Sequence, residues 1–185
     1  MKNTMITISL FISFVVTNTG LSANSHPSKS IIMVDTSELA AINKTIAKVF
    51  AAISFTKGNP PNMHQLEELF IEQGLLINYN EATPLILGVK DFIKHFESQF
   101  AQGILTELED KEVQYQTEVY DRVAHRFSFY EARFKPTDET PFAVGVNSMQ
   151  LIKVDGQWLV TSMAWNDDNR GDGFFNRVLS LKDEK

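Results

Sequence analysis

The chain has 185 residues, a formal net charge of −6, 43% hydrophobic residues and no cysteine. The negative balance argues against nucleic acid or an anionic membrane as the main partner, since both attract basic surfaces. Without cysteine there is neither a disulfide framework nor a thiol for lipid attachment, so the core must hold unaided.

The N-terminus has the layout of a secretory signal: Lys2, a mostly apolar run from Met5 to Val16, then the small-residue site Leu21-Ser22-Ala23. The run is shorter than the roughly 20 residues a bilayer crossing needs; the competing reading is an uncleaved N-terminal anchor. Residues 1–23 are read as signal peptide, 24–34 as polar tether, 35–170 as one domain and 171–185 as a C-terminal tail. The expected location is the periplasm or the outside of the cell, with no membrane span after cleavage.

Leu39, Ile42, Ile46, Val49 and Ile53 recur at helical spacing and predict a first helix over about 37–52, ended by the breaker cluster Thr56-Lys57-Gly58-Asn59-Pro60-Pro61. A second helix is predicted from Met63 to Gln73, with Gly74 as its C′ residue, followed by a short strand Leu75–Tyr79. A third helix over 89–102 carries the stripe Val89, Phe92, Ile93, Phe96 and Phe100, and Gly103 ends it. Strands follow over 106–120, 124–135, 142–154 and 157–166, then a short helix near 174–181. Helices first and strands afterwards predict an α+β domain: N-terminal helices packed in a strongly curved antiparallel sheet, a cone with a pocket at its open end.

Asp155-Gly156, between two β-rich runs, is a strong signal for a two-residue hairpin, because a type I′ turn needs positive φ at both central residues. Such a turn fixes the register. Continued without interruption, it pairs Lys153 with Trp158, Leu151 with Val160, Met149 with Ser162 and Asn147 with Ala164 on one face. Val154 with Gln157, Ile152 with Leu159, Gln150 with Thr161, Ser148 with Met163 and Val146 with Trp165 fall on the other. Both faces are substantially apolar, whereas a sheet with one wet face alternates cleanly. The first face is expected against the helices. The second, with Gln150, Leu159, Met163 and Trp165, is expected to meet a second copy of the chain or to lie under the folded-back tail.

This order of elements, with Asp-Gly-x-Trp-x-Val closing a meander, resembles the nuclear-transport-factor-2-like superfamily of SnoaL-like, cystatin-like α+β cones. The matching features run from about Leu39 to Asn166. Ser54-Phe-Thr-Lys-Gly-Asn-Pro-Pro61, Arg122-Val-Ala-His-Arg-Phe-Ser-Phe-Tyr-Glu-Ala-Arg133 and Gly145-Val-Asn-Ser-Met-Gln150, with Trp158 and Trp165, resemble a bacterial branch of unassigned function. The resemblance implies the cone; the homodimer through the sheet is the expectation raised by the hairpin's second apolar face. It does not imply one activity, since such cones host isomerases, dehydratases, hydrolases, binding modules and assembly domains.

The resemblance further implies that any catalyst in the cone is a carboxylate or histidine pair aided by a tyrosine or asparagine. His125 and Glu131 share a strand face with Phe127 and Phe129, so His125 is read either as a pocket base or as a solvated residue at the rim. Asn147 and Ser162 fall on the expected inner face; Asn147 either orients a ligand or satisfies a buried backbone group. Tyr79 and Tyr130 either donate into a pocket or keep their hydroxyls in water, and Phe96, Phe127 and Phe129 suit an apolar cavity or a filled core. The inner positions of the last strand are read as Ser162 and Ala164, which weakens acid–base catalysis. Asp167, Asp168 and Asp172 read as a solvated acidic end or a cation site. The four histidines share no metal-like spacing, so no metal and no cofactor are expected. The first expectation is binding of a small apolar or aromatic molecule. The second is an isomerase, dehydratase or hydrolase. The third is a structural dimerisation module of the cell envelope.

Overall fold

The computed structural model describes residues 36–169 and 173–180, which belong to one compact unit. The segments read as signal peptide and tether, residues 1–34, lie outside the described residues. The chain is α+β: α1 (Thr36–Ile53), a 3-10 turn (Met63–Gln65), α2 (Leu66–Leu69), β1 (Phe70–Asn78), β2 (Leu85–Gly88), α3 (Val89–Ala101), β3 (Glu109–Tyr120), β4 (Val123–Arg133), β5 (Ala143–Val154), β6 (Gln157–Asp167) and α4 (Phe174–Ser180).

The six strands form one sheet in the order β2-β1-β6-β5-β4-β3. It is mixed rather than wholly antiparallel, because β1 lies parallel to β6. The sheet curves around the helices, and α1 touches both the edge strand β3 and the central strand β6. Ile42, Ile46 and Val49 of α1 and Ile93 of α3 pack against Leu66, Leu76, Met149, Leu151 and Val160, all nearly inaccessible.

Two expected elements change. The second helix stops at Leu69 instead of Gln73, and β1 begins at Phe70, opposite Val160. Pairing with β6 outweighs the helical spacing of Leu66, Leu69 and Phe70. Gly74 is thereby no helix cap: it sits in an irregularity of β1, where a Cβ would come within 2.9 Å of the Ile71 carbonyl oxygen. β2 was not foreseen; its Leu85-Ile-Leu-Gly88 run pairs with β1.

The hairpin turn is as expected, with φ of 49° at Asp155 and 82° at Gly156. The register beyond it is not. Leu151 still faces Val160, but Gln150 faces Ser162, so Thr161 is the extra residue of a β-bulge. Every later side chain of β6 changes face, since the side-chain period of a strand is two. Met149 now opposes Met163, and Asn147 opposes Trp165.

The closed part of the cone is held by Arg126, which is 1% exposed. Its guanidinium pairs with both carboxylate oxygens of Glu112 and donates to Asn43 Oδ1 at 2.6 Å and Thr117 Oγ1 at 3.2 Å. The Tyr115 ring covers it at 3.6 Å. So many partners repay the cost of burying the charge and leave little free to bind anything else.

Candidate functional site

The bulge at Thr161 builds the site. It turns Met163, Trp165 and Asp167 inward, where they line a cavity of about 260 Å³ between the sheet, β2 included, and the helices α1 and α3. Trp165 meets Phe92 of α3 edge to face at 6.0 Å, and Phe92 lies 6.2 Å from Phe96. These rings, with Leu76 and Met163, make the wall mostly apolar. Leu85 and Phe142, about half exposed, mark the mouth, and Phe142 stacks on Phe134 at 4.2 Å.

At one side of the cavity, Tyr130, Gly145 and Asp167 stand opposite one another on β4, β5 and β6. Neighbouring strands are about 4.8 Å apart, so Tyr130 must cross a whole strand to reach Asp167. It does so because Gly145 has no side chain: a Cβ there would lie 2.6 Å from the Tyr130 hydroxyl. The tyrosine hydroxyl donates to Asp167 Oδ1. Asn80 completes the cluster, donating from Nδ2 to Asp167 Oδ2 at 2.9 Å and accepting from the Asp167 backbone N–H at 2.7 Å. Burial and the hydrogen bond to Asp167 push the Tyr130 pKa well above the usual tyrosine range, so the phenol keeps its proton.

Asp110 of β3 faces this cluster. Its backbone is anchored by Ser54, whose hydroxyl accepts from the Asp110 N–H at 3.0 Å and donates to the Phe50 carbonyl at 2.8 Å. Its carboxylate Oδ1, by contrast, is enclosed and has no hydrogen-bond partner. Burial first, then the negative charge of Asp167, push its pKa up to about 7, against the lowering effect of the Lys111 backbone N–H. Asn147, 1% exposed, lines the same cavity, and its Nδ2 also lacks a partner. Two side chains that line one largely apolar cavity therefore carry an unpartnered acceptor and an unpartnered donor. Buried polar groups normally have partners, and exceptions concentrate where function needs them.

Of the residues expected from the sequence, Phe96 and Asn147 line the cavity, as does Tyr130. The others do not. On β4 the buried side is the even one, Ala124, Arg126, Ser128, Tyr130 and Ala132. His125, Phe127, Phe129 and Glu131 consequently point away from the cavity. His125 lies 3.2 Å from Ser148 Oγ and packs on Phe127, while Glu131 pairs with Arg133 at 2.7 Å. Ser162 moves to the outer face opposite Gln150, and Tyr79 is half exposed beside the cavity's Asn78 and Asn80. Met163 and Trp165, expected at an interface, are cavity wall; Gln150 and Leu159 stay outside. The inward positions of β6 beyond the bulge are thus not Ser162 and Ala164, and the strand does carry an acid, Asp167.

Asp110 and Asp167 were not singled out as catalytic residues. The signal for Asp167 lay in the strand itself. Trp158 and Val160 are followed by Met163 and Trp165, a phase change that marks a bulge. A larger groove, of about 560 Å³, runs beside α4 past Phe129, Val146 and Phe175, but none of the unpartnered buried atoms belongs to its lining. Among the described residues, no group of three or more His, Asp or Glu could hold a metal ion, and no helix is long and apolar enough to cross a membrane.

No family model matches the sequence, and no curated protein matches it. Solved structures do match in shape. A cystatin-like-fold protein of unknown function from Nostoc punctiforme PCC 73102 superposes with a TM-score of 0.57 at 11% identity, over 74% of this chain and 95% of its own. A scytalone dehydratase-like protein from Novosphingobium aromaticivorans DSM 12444 gives 0.56 at 18%, over 71% and 85%. An NTF2-like protein of unknown function from Pseudomonas putida KT2440 gives 0.57 at 14%, over 71% and 87%. The chain has the NTF2-like, cystatin-like α+β cone fold.

Proposed function

We propose that the cone binds a small, mostly apolar molecule bearing a carbonyl or hydroxyl group and moves a proton on it, as an isomerase or lyase does. The observation that carries this reading is that two of the three unpartnered buried atoms, Asp110 Oδ1 and Asn147 Nδ2, belong to side chains lining one largely apolar cavity. With a ketone, the Asp110 carboxylate takes the proton from the carbon beside the carbonyl. The C–H electron pair becomes the enolate C=C bond, and negative charge grows on the oxygen, where the Asn147 N–H donates. Protonated Asp110 then returns the proton to the same or another carbon. Burial does most to hold the Asp110 pKa close to neutrality, and the Tyr130–Asp167–Asn80 cluster adds to it by keeping a second negative charge nearby.

The test needs no knowledge of the natural substrate. Incubated with 2-tetralone in D2O at pH 8, the protein is expected to accelerate deuterium incorporation beside the carbonyl, read by proton NMR. A rate equal to buffer, and no binding of 2-tetralone, would leave only a structural module.

The same reading includes a homodimer and export. The outer face of the sheet presents Leu75, Ile77, Ile86, Phe127, Gln150 and Leu159. Phe175 of α4, 6.1 Å from Phe129, covers one part of that face. Native mass spectrometry of the protein recovered from its own cells addresses both points. The expected species is a dimer of chains cleaved near Ala23, in the periplasmic or external fraction. A monomer would remove the interface, and an intact N-terminus would remove the cleavage.

A further inference from the structure

The cavity's charge inventory says what kind of molecule it takes. Among the described residues, its lining holds two carboxylates, Asp110 and Asp167, and no lysine or arginine. His95 is the one lining side chain able to carry positive charge. Its Nε2 lies 3.2 Å from the Gln99 side-chain nitrogen, a bond in which the amide must donate and the ring nitrogen accept. Asp167 is already engaged with Tyr130 and Asn80, whereas Asp110, also on the lining, keeps an enclosed Oδ1 without a partner. Asn147, 1% exposed and on the same lining, has an unpartnered Nδ2. An anionic ligand would meet two like charges and neutral amide donors, with no lysine or arginine, inside a mostly apolar wall where charges are poorly screened.

The geometry points to a substrate class: uncharged or cationic molecules of about two fused rings with a single polar oxygen or nitrogen, with carboxylates and phosphates rejected by Asp110 and Asp167. The size follows from the volume. An apolar cavity of about 150 Å³ holds benzene, and this one measures about 260 Å³. The aromatic wall of Phe92, Phe96 and Trp165 suits a flat ring system, and it suits a cation as well as a neutral molecule. Exclusion here is specificity by repulsion: the groups that would make proton transfer possible also turn away the wrong charge.

This inference rests on the cavity being a ligand site, as proposed above, and its test separates the two. Binding of 2-naphthol, 2-(aminomethyl)naphthalene and 2-naphthoate to the full chain is measured by calorimetry at pH 8. The naphthol and the amine are expected to bind, with naphthoate more than tenfold weaker than the naphthol. In Asp110→Asn the gap between naphthol and naphthoate is expected to narrow at least threefold. Naphthoate binding within threefold of naphthol in the wild type, or a gap unchanged in the variant, overturns the charge selection while leaving the ligand site. No binding by any of the three overturns both.

Discussion

Asp110→Asn is expected to slow deuterium incorporation into 2-tetralone by roughly 10²–10⁴-fold, the usual contribution of a positioned general base. The substitution keeps the shape of the side chain, so 2-tetralone should still bind, and the loss should fall on turnover rather than affinity. The wild-type rate should rise with pH and level off above about 7, because only ionised Asp110 can take a proton. Stability should move the other way. The folded pKa of Asp110 is raised above its unfolded value of 3.8, so between about 4 and 7 the folded state holds a proton that the unfolded state has lost. Stability is therefore highest below pH 4 as far as this group is concerned, and it falls as pH rises towards 7. At pH 8 the asparagine variant should be the more stable protein, by roughly 2–4 kcal/mol, and its pH dependence over this window should flatten. A urea titration at pH 5 and pH 8 checks this. A variant less stable than wild type at pH 8 would mean that Asp110 is a structural carboxylate with a partner in solution. An inactive but stabilised variant is the signature of a site maintained at the expense of the fold.

The architecture was open to reading because it rests on local signals. The Asp155-Gly156 turn, the stripe of α3 and the breaker cluster after α1 each act over a few residues; the structure has all three, with Phe100 at the end of the stripe exposed. The site was not open in the same way, because it depends on one inserted residue. An unbroken register places Ser162 and Ala164 inside and reads the last strand as chemically empty. Thr161 shifts the phase and brings in Trp165 and Asp167. The error on β4 has a different cause. Its odd positions, with two phenylalanines and a histidine, look more like a pocket wall than the even ones, with Arg126 and Ser128. The even side is nevertheless the inner one. Arg126 is neutralised by Glu112, and Ser128 and Asn147 sit opposite each other in the core. The pairing that makes a buried arginine tolerable spans strands and cannot be seen along one of them. The aromatic odd side instead adds to the outer apolar face.

Gly145→Ala should damage fold and site together. Its Cβ would lie 2.4 Å from the Asn166 carbonyl oxygen and 2.6 Å from the Tyr130 hydroxyl, and the first of these is backbone that cannot turn aside. Overpacking of this kind costs about 1–3 kcal/mol. Displacing Tyr130 also removes its hydrogen bond to the Asp167 carboxylate, at about 1.5–3 kcal/mol for a bond to a charged group. The combined loss should be roughly 3–5 kcal/mol, read as a lower urea midpoint with an unchanged slope. The double variant Gly145→Ala with Tyr130→Phe separates the two contributions. Phenylalanine removes the hydroxyl that the new methyl meets, so the two substitutions should cost less together than the sum of each alone. Simple additivity would show that Tyr130 does not cross Gly145 to reach Asp167. If the crossing is real, Gly145→Ala should also change how Asp110 behaves, because Asp167 would lose the phenol that positions its charge. The pH at which 2-tetralone exchange levels off should then move away from 7, whereas a merely destabilised protein, measured well below its melting temperature, would keep it. A strand glycine two residues before Asn147 thus governs a carboxylate on β3 that it does not touch.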